Sequence, residues 1–228
     1  MIKTIFFDLD DTLLDFTRAE REALTRAFRR FDVDPTPAVL DRYHELNRQQ
    51  WELLEEGKLT RPQVLLRRFD LLFAELGLDR SSRQVCDAYE NLLAQGHWFV
   101  PGALELLETL SPRYGLYLAS NGAAAVQRSR LESAGILPYF KGVFISEEVG
   151  FDKPSPAFFR AVFAAIPGFS RETALMVGDS LTSDIRGGRN AGIRTCWFDP
   201  HGAAPRPDVV PDFRITALDQ LPGLLKTL

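Results

Sequence analysis

Four short polar segments stand far apart in this chain, each placed behind a short apolar run. They are Asp8-Leu9-Asp10-Asp11-Thr12, Ser120-Asn121-Gly122, Lys153-Pro154 and Gly178-Asp179-Ser180-Leu181-Thr182-Ser183-Asp184. The apolar runs constrain the fold most. Ile2 to Phe7 is β-branched and aromatic and ends in acid, which reads as a buried strand. Gly115 to Ala119, Gly142 to Ile145, Ala174 to Gly178 and Ile193 to Phe198 are also strand-like, with helical stretches between them. Such alternation predicts a parallel sheet covered by helices on both faces. Phe213 to Ile215 adds a last strand and Leu218 to Leu225 a closing helix. Gly202 to Pro211 reads as a Pro-rich connection without identifiable chemistry.

Between the first strand and the rest lies a stretch of a different character. Residues 16–31, 37–54, 60–76 and 81–94 carry apolar side chains at helical spacing, punctuated by Asp34-Pro35, Gly57-Lys58 and Gly77. The expected architecture is α/β. A doubly wound parallel sheet, a Rossmann-like core of residues 1–14 and 100–228, is interrupted by an all-helical cap of residues 15–99.

The chain has 228 residues, enough for a substantial core, and 45% of them are apolar. A formal charge of −4 offers no basic surface to nucleic acid or anionic membrane. The opening Met1-Ile2-Lys3-Thr4-Ile5-Phe6-Phe7-Asp8 reaches acid too soon for a signal peptide's apolar region, and no apolar run is long enough to span a bilayer. Cys86 and Cys196 fall in different predicted units, so a disulfide is not expected and a reducing cytoplasm is. His44, His97 and His201 lie in none of the four segments, and there is no Gly-x-Ser-x-Gly or P-loop motif.

In open α/β sheets ligands sit beyond the carboxyl ends of the strands, where the four segments are placed. Separation by two residues lets Asp8 and Asp10 approach one ligand once the chain curls out of its strand. Taken alone, the same residues could be an acidic turn capping a helix. Ser120 with the free N–H groups of Asn121 and Gly122 at a helix N-terminus can cradle an anion. In this order, the four segments resemble the motifs of the haloacid dehalogenase-like hydrolases, most of which are magnesium-dependent phosphatases. The resemblance implies Asp8 as the nucleophile that forms an aspartyl-phosphate. It implies Asp10 as the general acid and base, with a backbone carbonyl for the metal. Lys153 would hold nucleophile and phosphate together and stabilise transition-state charge. Thr12 would orient Asp8 and the phosphate loop. Ser120, Asn121, Gly122 and Lys153 would bind phosphate. Asp8, Asp10, Asp179 and Asp184 would serve Mg²⁺, Asp184 either through water or as an orienter.

Two acids in the first segment disfavour haloacid dehalogenation, in which halide leaves without a proton. Phosphonate hydrolysis by a cap lysine would have only Lys58 to use. A sugar-phosphate mutase keeps both acids and stays open, as does a phosphatase of small sugar phosphates or phosphoglycolate. A non-catalytic binding protein should have lost one of Asp8, Asp10, Lys153 or Asp179, and none is lost. The fourth segment, continued by Gly187-Gly188, Asn190-Ala191-Gly192-Ile193 and Thr195-Cys196-Trp197-Phe198, looks like the bacterial pyrimidine-type 5′-nucleotidase branch. That resemblance implies a small phosphorylated metabolite, a nucleoside 5′-monophosphate, as partner. The cap would then set specificity and exclude water on closing. Phe16, Asn47, Trp51 and Arg68 are the cap candidates for the leaving group; the alternative makes Phe16 and Trp51 cap or hinge core and Arg68 a surface charge.

Overall fold

The computed structural model describes residues 1–204 and 206–228; of the Pro-rich connection, Pro205 lies outside the described residues. Along the chain run β1 (Thr4–Phe7), α1 (Phe16–Arg30), α2 (Pro37–Glu55), α3 (Arg61–Leu76), α4 (Ser82–Leu93), α5 (Ala103–Leu110), β2 (Gly115–Ser120) and α6 (Ala124–Ala134). Then follow β3 (Gly142–Ile145), α7 (Ser146–Val149), α8 (Pro156–Ala164), β4 (Ala174–Gly178), α9 (Arg186–Asn190), β5 (Arg194–Phe198), β6 (Phe213–Ile215) and α10 (Leu221–Leu225). Two compact units emerge: residues 1–15 with 97–228, and residues 16–96.

In the first unit the described strands form one sheet in the order β3-β2-β1-β4-β5-β6, every neighbouring pair parallel. Alternation along each strand sends successive side chains to opposite faces. Ile5, Phe7, Leu116, Leu118, Leu175, Val177, Cys196 and Phe198 share one buried cluster with Leu106 and Leu110 of α5 and Leu221 of α10. Phe6, Ala119, Ala174 and Met176 face the other way, onto Phe158, Phe159 and Val162 of α8. Both faces are therefore dry, which explains why the strands read as unbroken apolar runs. The order reverses between β1 and β4, so the carboxyl ends of these two strands lie side by side at the switch point.

The second unit is helical throughout, with α1 packed on α4, α2 on α3 and α3 on α4. Thr36 caps α2, its hydroxyl accepting the Val39 N–H at 3.3 Å, with Pro37 in the first turn. The Thr60 N–H donates to Gln63 Oε1 at 2.8 Å at the start of α3, and Gly77 ends that helix at φ 63°. Tyr43, Phe69 and Tyr89 meet at its centre, with ring centroids 4.9–5.7 Å apart. No helix among the described residues is long and apolar enough to cross a membrane.

Both cysteines are free and buried. Burial pushes the Cys196 thiol up to about 12, and burial also raises that of Cys86. Since the thiolate is the reactive form, neither should react with a thiol-specific disulfide reagent at neutral pH until denaturant unfolds the chain. Stoichiometric labelling of the native protein would contradict this packing.

Candidate active site

The site is built where β1 and β4 end. The Asp8 N–H continues the ladder to the Val177 carbonyl at 3.0 Å. Beyond it the chain reverses tightly: the Leu13 and Leu14 N–H groups both donate to the Leu9 carbonyl at 2.9 Å, and Asp11 adopts a left-handed φ of 52°. Aspartate tolerates that conformation better than bulkier residues. The reversal brings Thr12 back against β4, where its buried hydroxyl accepts the Asp179 N–H at 3.1 Å and lies 3.4 Å from Asp179 Oδ1. Thr12 thus braces Asp179.

Lys153 reaches in from the loop before α8 and is 1% exposed. Its Nζ donates to Asp8 Oδ1 at 2.6 Å, to the Ala119 carbonyl at 2.6 Å and to Asp184 Oδ1 at 2.7 Å. An ammonium has three donors, and here all are used. Burial by itself would depress its pKa, but Asp184 and Asp8 outweigh burial and hold it above the ordinary lysine value. Asn121 clamps the Lys153 peptide from both sides, accepting its N–H and donating to its carbonyl, each at 2.8 Å. At the start of α6, the Ala124 N–H is met by Glu147 Oε2 at 2.7 Å, and the Gly122 N–H by Ser120 Oγ at 3.2 Å. Of the expected anion cradle, Ser120 and Gly122 remain at the carboxyl end of β2. The Asn121 side chain works through Lys153.

Asp184 sits on a wide π-helical turn, Leu181–Ile185, that leads into α9. Its Oδ2 accepts the Ser180 N–H at 3.1 Å. A Cβ built on Gly178 would fall 2.2 Å from that same oxygen, so only glycine lets the carboxylate lie against the end of β4. Asp8, Asp179 and Asp184 each offer a carboxylate oxygen within 4.8 Å of the others. Burial, reinforced by the charges of Asp184 and Asp10 and opposed by Lys153, raises the Asp8 carboxyl to about 8. Burial and then Asp8 and Asp184 raise Asp179 well above the usual carboxylate range. One ammonium cannot offset the charge of three carboxylates, so ionising all of them together is costly without a further cation. A hard, oxygen-seeking divalent cation is what such a donor set fits.

Asp10 stands apart from this cluster. Its Oδ2 accepts from Gln127 Nε2 at 2.7 Å, and its Oδ1 pairs with the Arg130 guanidinium. Gln127 and Arg130, each 1% exposed, lie on α6 and escaped the sequence reading. A signal existed: α6 has few large apolar residues, chiefly Val126 and Leu131, so polar side chains must fill part of its inner face.

Of the cap candidates, Asn47, Trp51 and Arg68 meet in one network inside the helical unit. Asn47 Oδ1 accepts from Trp51 Nε1 at 3.0 Å and from Arg68 Nη1 at 2.9 Å, while Asn47 Nδ2 donates to Glu20 Oε1 at 2.8 Å. Arg68 also pairs with Glu90 at 3.1 Å, and His44 lies 2.6 Å from Glu20. Arg68 is 2% exposed and is not the surface charge of the alternative reading. Phe16 begins α1, half-buried and outside these bonds.

Replacing Lys153 by Met leaves three acids crowded without a counter-charge. Loss of one partner from a buried ion pair typically costs ~3–5 kcal/mol. Denaturant titration should show a loss of that order, partly restored by added Mg²⁺. Gly178→Ala should displace Asp184 and lower metal affinity or turnover about 10–100-fold, the range for displaced metal-site supports. Unchanged Mg²⁺ affinity and turnover in Gly178→Ala would contradict the packing described.

The haloacid dehalogenase-like hydrolase family model matches residues 2–192. The HAD-hydrolase YfnB of Bacillus subtilis is 39% identical over 98% of this chain and 95% of its own. A crystal structure of YfnB bound to magnesium, which reveals interdomain movement, superposes with a TM-score of 0.94 at 38% identity, covering 98% of each chain. The pyrimidine 5′-nucleotidase PynA of Streptococcus pneumoniae is 40% identical over 96% of this chain and 93% of its own. The pyrimidine 5′-nucleotidase YjjG of Escherichia coli is 33% identical, over 97% and 96% respectively. With its motifs converging at the switch point of a doubly wound sheet, the chain belongs to the haloacid dehalogenase-like hydrolases.

Proposed function

We propose that this protein is a Mg²⁺-dependent phosphomonoesterase of the cytoplasm that hydrolyses pyrimidine nucleoside 5′-monophosphates through an aspartyl-phosphate. The observation that carries the reaction class is the division of labour between two acids of one segment. Asp8 is locked to Lys153 at 2.6 Å inside the acidic cluster, while Asp10 is turned aside onto Gln127 and Arg130. In this reading Asp8 attacks phosphorus, and Asp10 gives a proton to the departing alkoxide and then takes one from water. The first step forms the Asp8 O–P bond and breaks the ester P–O bond. The second transfers phosphorus to water and frees the Asp8 carboxylate.

Asp8, Asp179 and Asp184, with the Asp10 carbonyl, would hold Mg²⁺, which when bound supplies the positive charge that lets a dianionic phosphate approach these acids. Lys153 keeps the nucleophile's carboxylate oriented and supplies a fixed positive charge beside the transferring group. The Ser120 hydroxyl and the backbone around Gly122 lie at the carboxyl end of β2, next to β1, where they can donate to phosphate oxygens. The nucleotide reading is supported by the names of PynA and YjjG. The reducing compartment is supported by two buried, unpaired thiols. Within the helical unit, Trp51 is the strongest candidate to meet a base. Its indole is half-buried and offers an aromatic surface of the kind on which bases stack.

Phosphate release should be measured over ribo- and deoxyribonucleoside monophosphates, hexose phosphates and phosphoglycolate, with Mg²⁺ and after chelation. The expected result is Mg²⁺-dependent preference for pyrimidine nucleotides. Preference for sugar phosphates would retain the chemistry and discard the substrate. Asp8→Asn should lower turnover by at least about a thousandfold, as loss of a covalent nucleophile does, in a variant that circular dichroism shows to be folded. Near-normal turnover in that variant would overturn the mechanism.

A further inference from the structure

Gln127 sits at the junction of two site residues. Its Nε2 donates to Asp10 Oδ2 at 2.7 Å and to Ser120 Oγ at 2.8 Å, and its Oε1 accepts from Arg130 Nη1 at 3.1 Å. The amide orientation follows from its neighbours: the Asp10 carboxylate can only accept, and the Arg130 guanidinium can only donate. Arg130 in turn pairs with Asp10 Oδ1, so the two side chains grip both oxygens of one carboxylate. Ser120 Oγ also accepts the Gly122 N–H at 3.2 Å. With two bonds accepted, the hydroxyl's remaining capacity is to donate its proton. The amide has no slack either, since a Cβ on Gly122 would fall 2.3 Å from Gln127 Nε2.

We propose that Gln127 and Arg130 are positioning residues that hold the Asp10 carboxylate in one fixed orientation by gripping both of its oxygens. Neither residue need touch substrate. The inference rests on the reading of Asp10 as the general acid and base. A structural glutamine and arginine would affect all substrates alike. Residues that aim a proton donor affect most the esters whose leaving group needs the proton.

The test compares kcat/KM for a nucleoside 5′-monophosphate, an alkyl ester, with that for p-nitrophenyl phosphate, whose phenolate departs unprotonated. The variants are Gln127→Met, Arg130→Met, Arg130→Lys and Asp10→Asn, assayed with saturating Mg²⁺. Gln127→Met and Arg130→Met should lose about 10–100-fold on the nucleotide, part of what general acid catalysis contributes, and about threefold or less on the phenyl ester. Arg130→Lys should recover most of the loss. Should Gln127→Met fail to fold by circular dichroism, Gln127→Glu replaces it: it keeps the size but cannot donate to Asp10, and the same contrast is expected. Equal losses on the two esters in the Gln127 and Arg130 variants, with a marked contrast in Asp10→Asn, overturn the positioning role alone. Absence of the contrast in Asp10→Asn itself overturns the acid role of Asp10 and this inference with it.

Discussion

The buried Lys153 ammonium is the interaction on which the site depends. It gathers the nucleophile candidate Asp8, the cluster acid Asp184 and the Ala119 carbonyl from three separate stretches of chain. An ammonium with every donor satisfied and two carboxylates in contact is a tolerable buried charge; without them it would not be. The supports make sense around this centre. Asn121 fixes the lysine's peptide, and Gly178 makes room for Asp184. Thr12 holds Asp179 from β1's side. Three carboxylates share that one ammonium, and such a donor set fits a divalent cation.

Strand order converts that local chemistry into a position. Because β1 lies between β2 and β4, the first polar segment meets the second and the fourth without any long reach. Asp8 stays in line with the strand and enters the acidic cluster. Asp10, two residues later and past a tight reversal, is carried to α6. Two carboxylates of one pentapeptide therefore occupy different environments.

The helical unit follows a different logic. Arg68 lies 5.1–5.9 Å from the ring centroids of Tyr43, Phe69 and Tyr89 and is bonded to Asn47 and Glu90. Such a charge, wrapped in aromatic faces and hydrogen-bonded on two sides, orders α2, α3 and α4 against one another. Asn47 and Arg68 are thereby committed inside the unit, and Trp51 is tied to the same network by its indole N–H. Any reading of a base edge by Asn47 or Arg68 would have to rearrange these bonds.

The parallel sheet was legible in the sequence because strands buried on both faces need continuous apolar runs, and each of the six runs proposed is a strand. The acids, the lysine and the serine were singled out because the four segments together resemble a family's motifs, and the fold brings Asp8, Lys153, Asp179 and Asp184 into contact or close range. What no linear pattern carries is the partner of each group. Thr12 bonding Asp179, Asn121 serving Lys153, and Gln127 with Arg130 gripping Asp10 join residues up to 167 positions apart. A hydrogen bond is set by angstrom-scale placement in three dimensions, whereas spacing along the chain reports only the face of a helix or strand. Arg68 illustrates the difference: as a letter it suits solvent, and only the surrounding aromatic rings and amide make its burial possible. The sequence by itself determined the strands, the order of the motifs and the chemistry available. The tertiary structure alone decided which acid stands with Lys153, which turns to α6, and which polar groups are bound to each other.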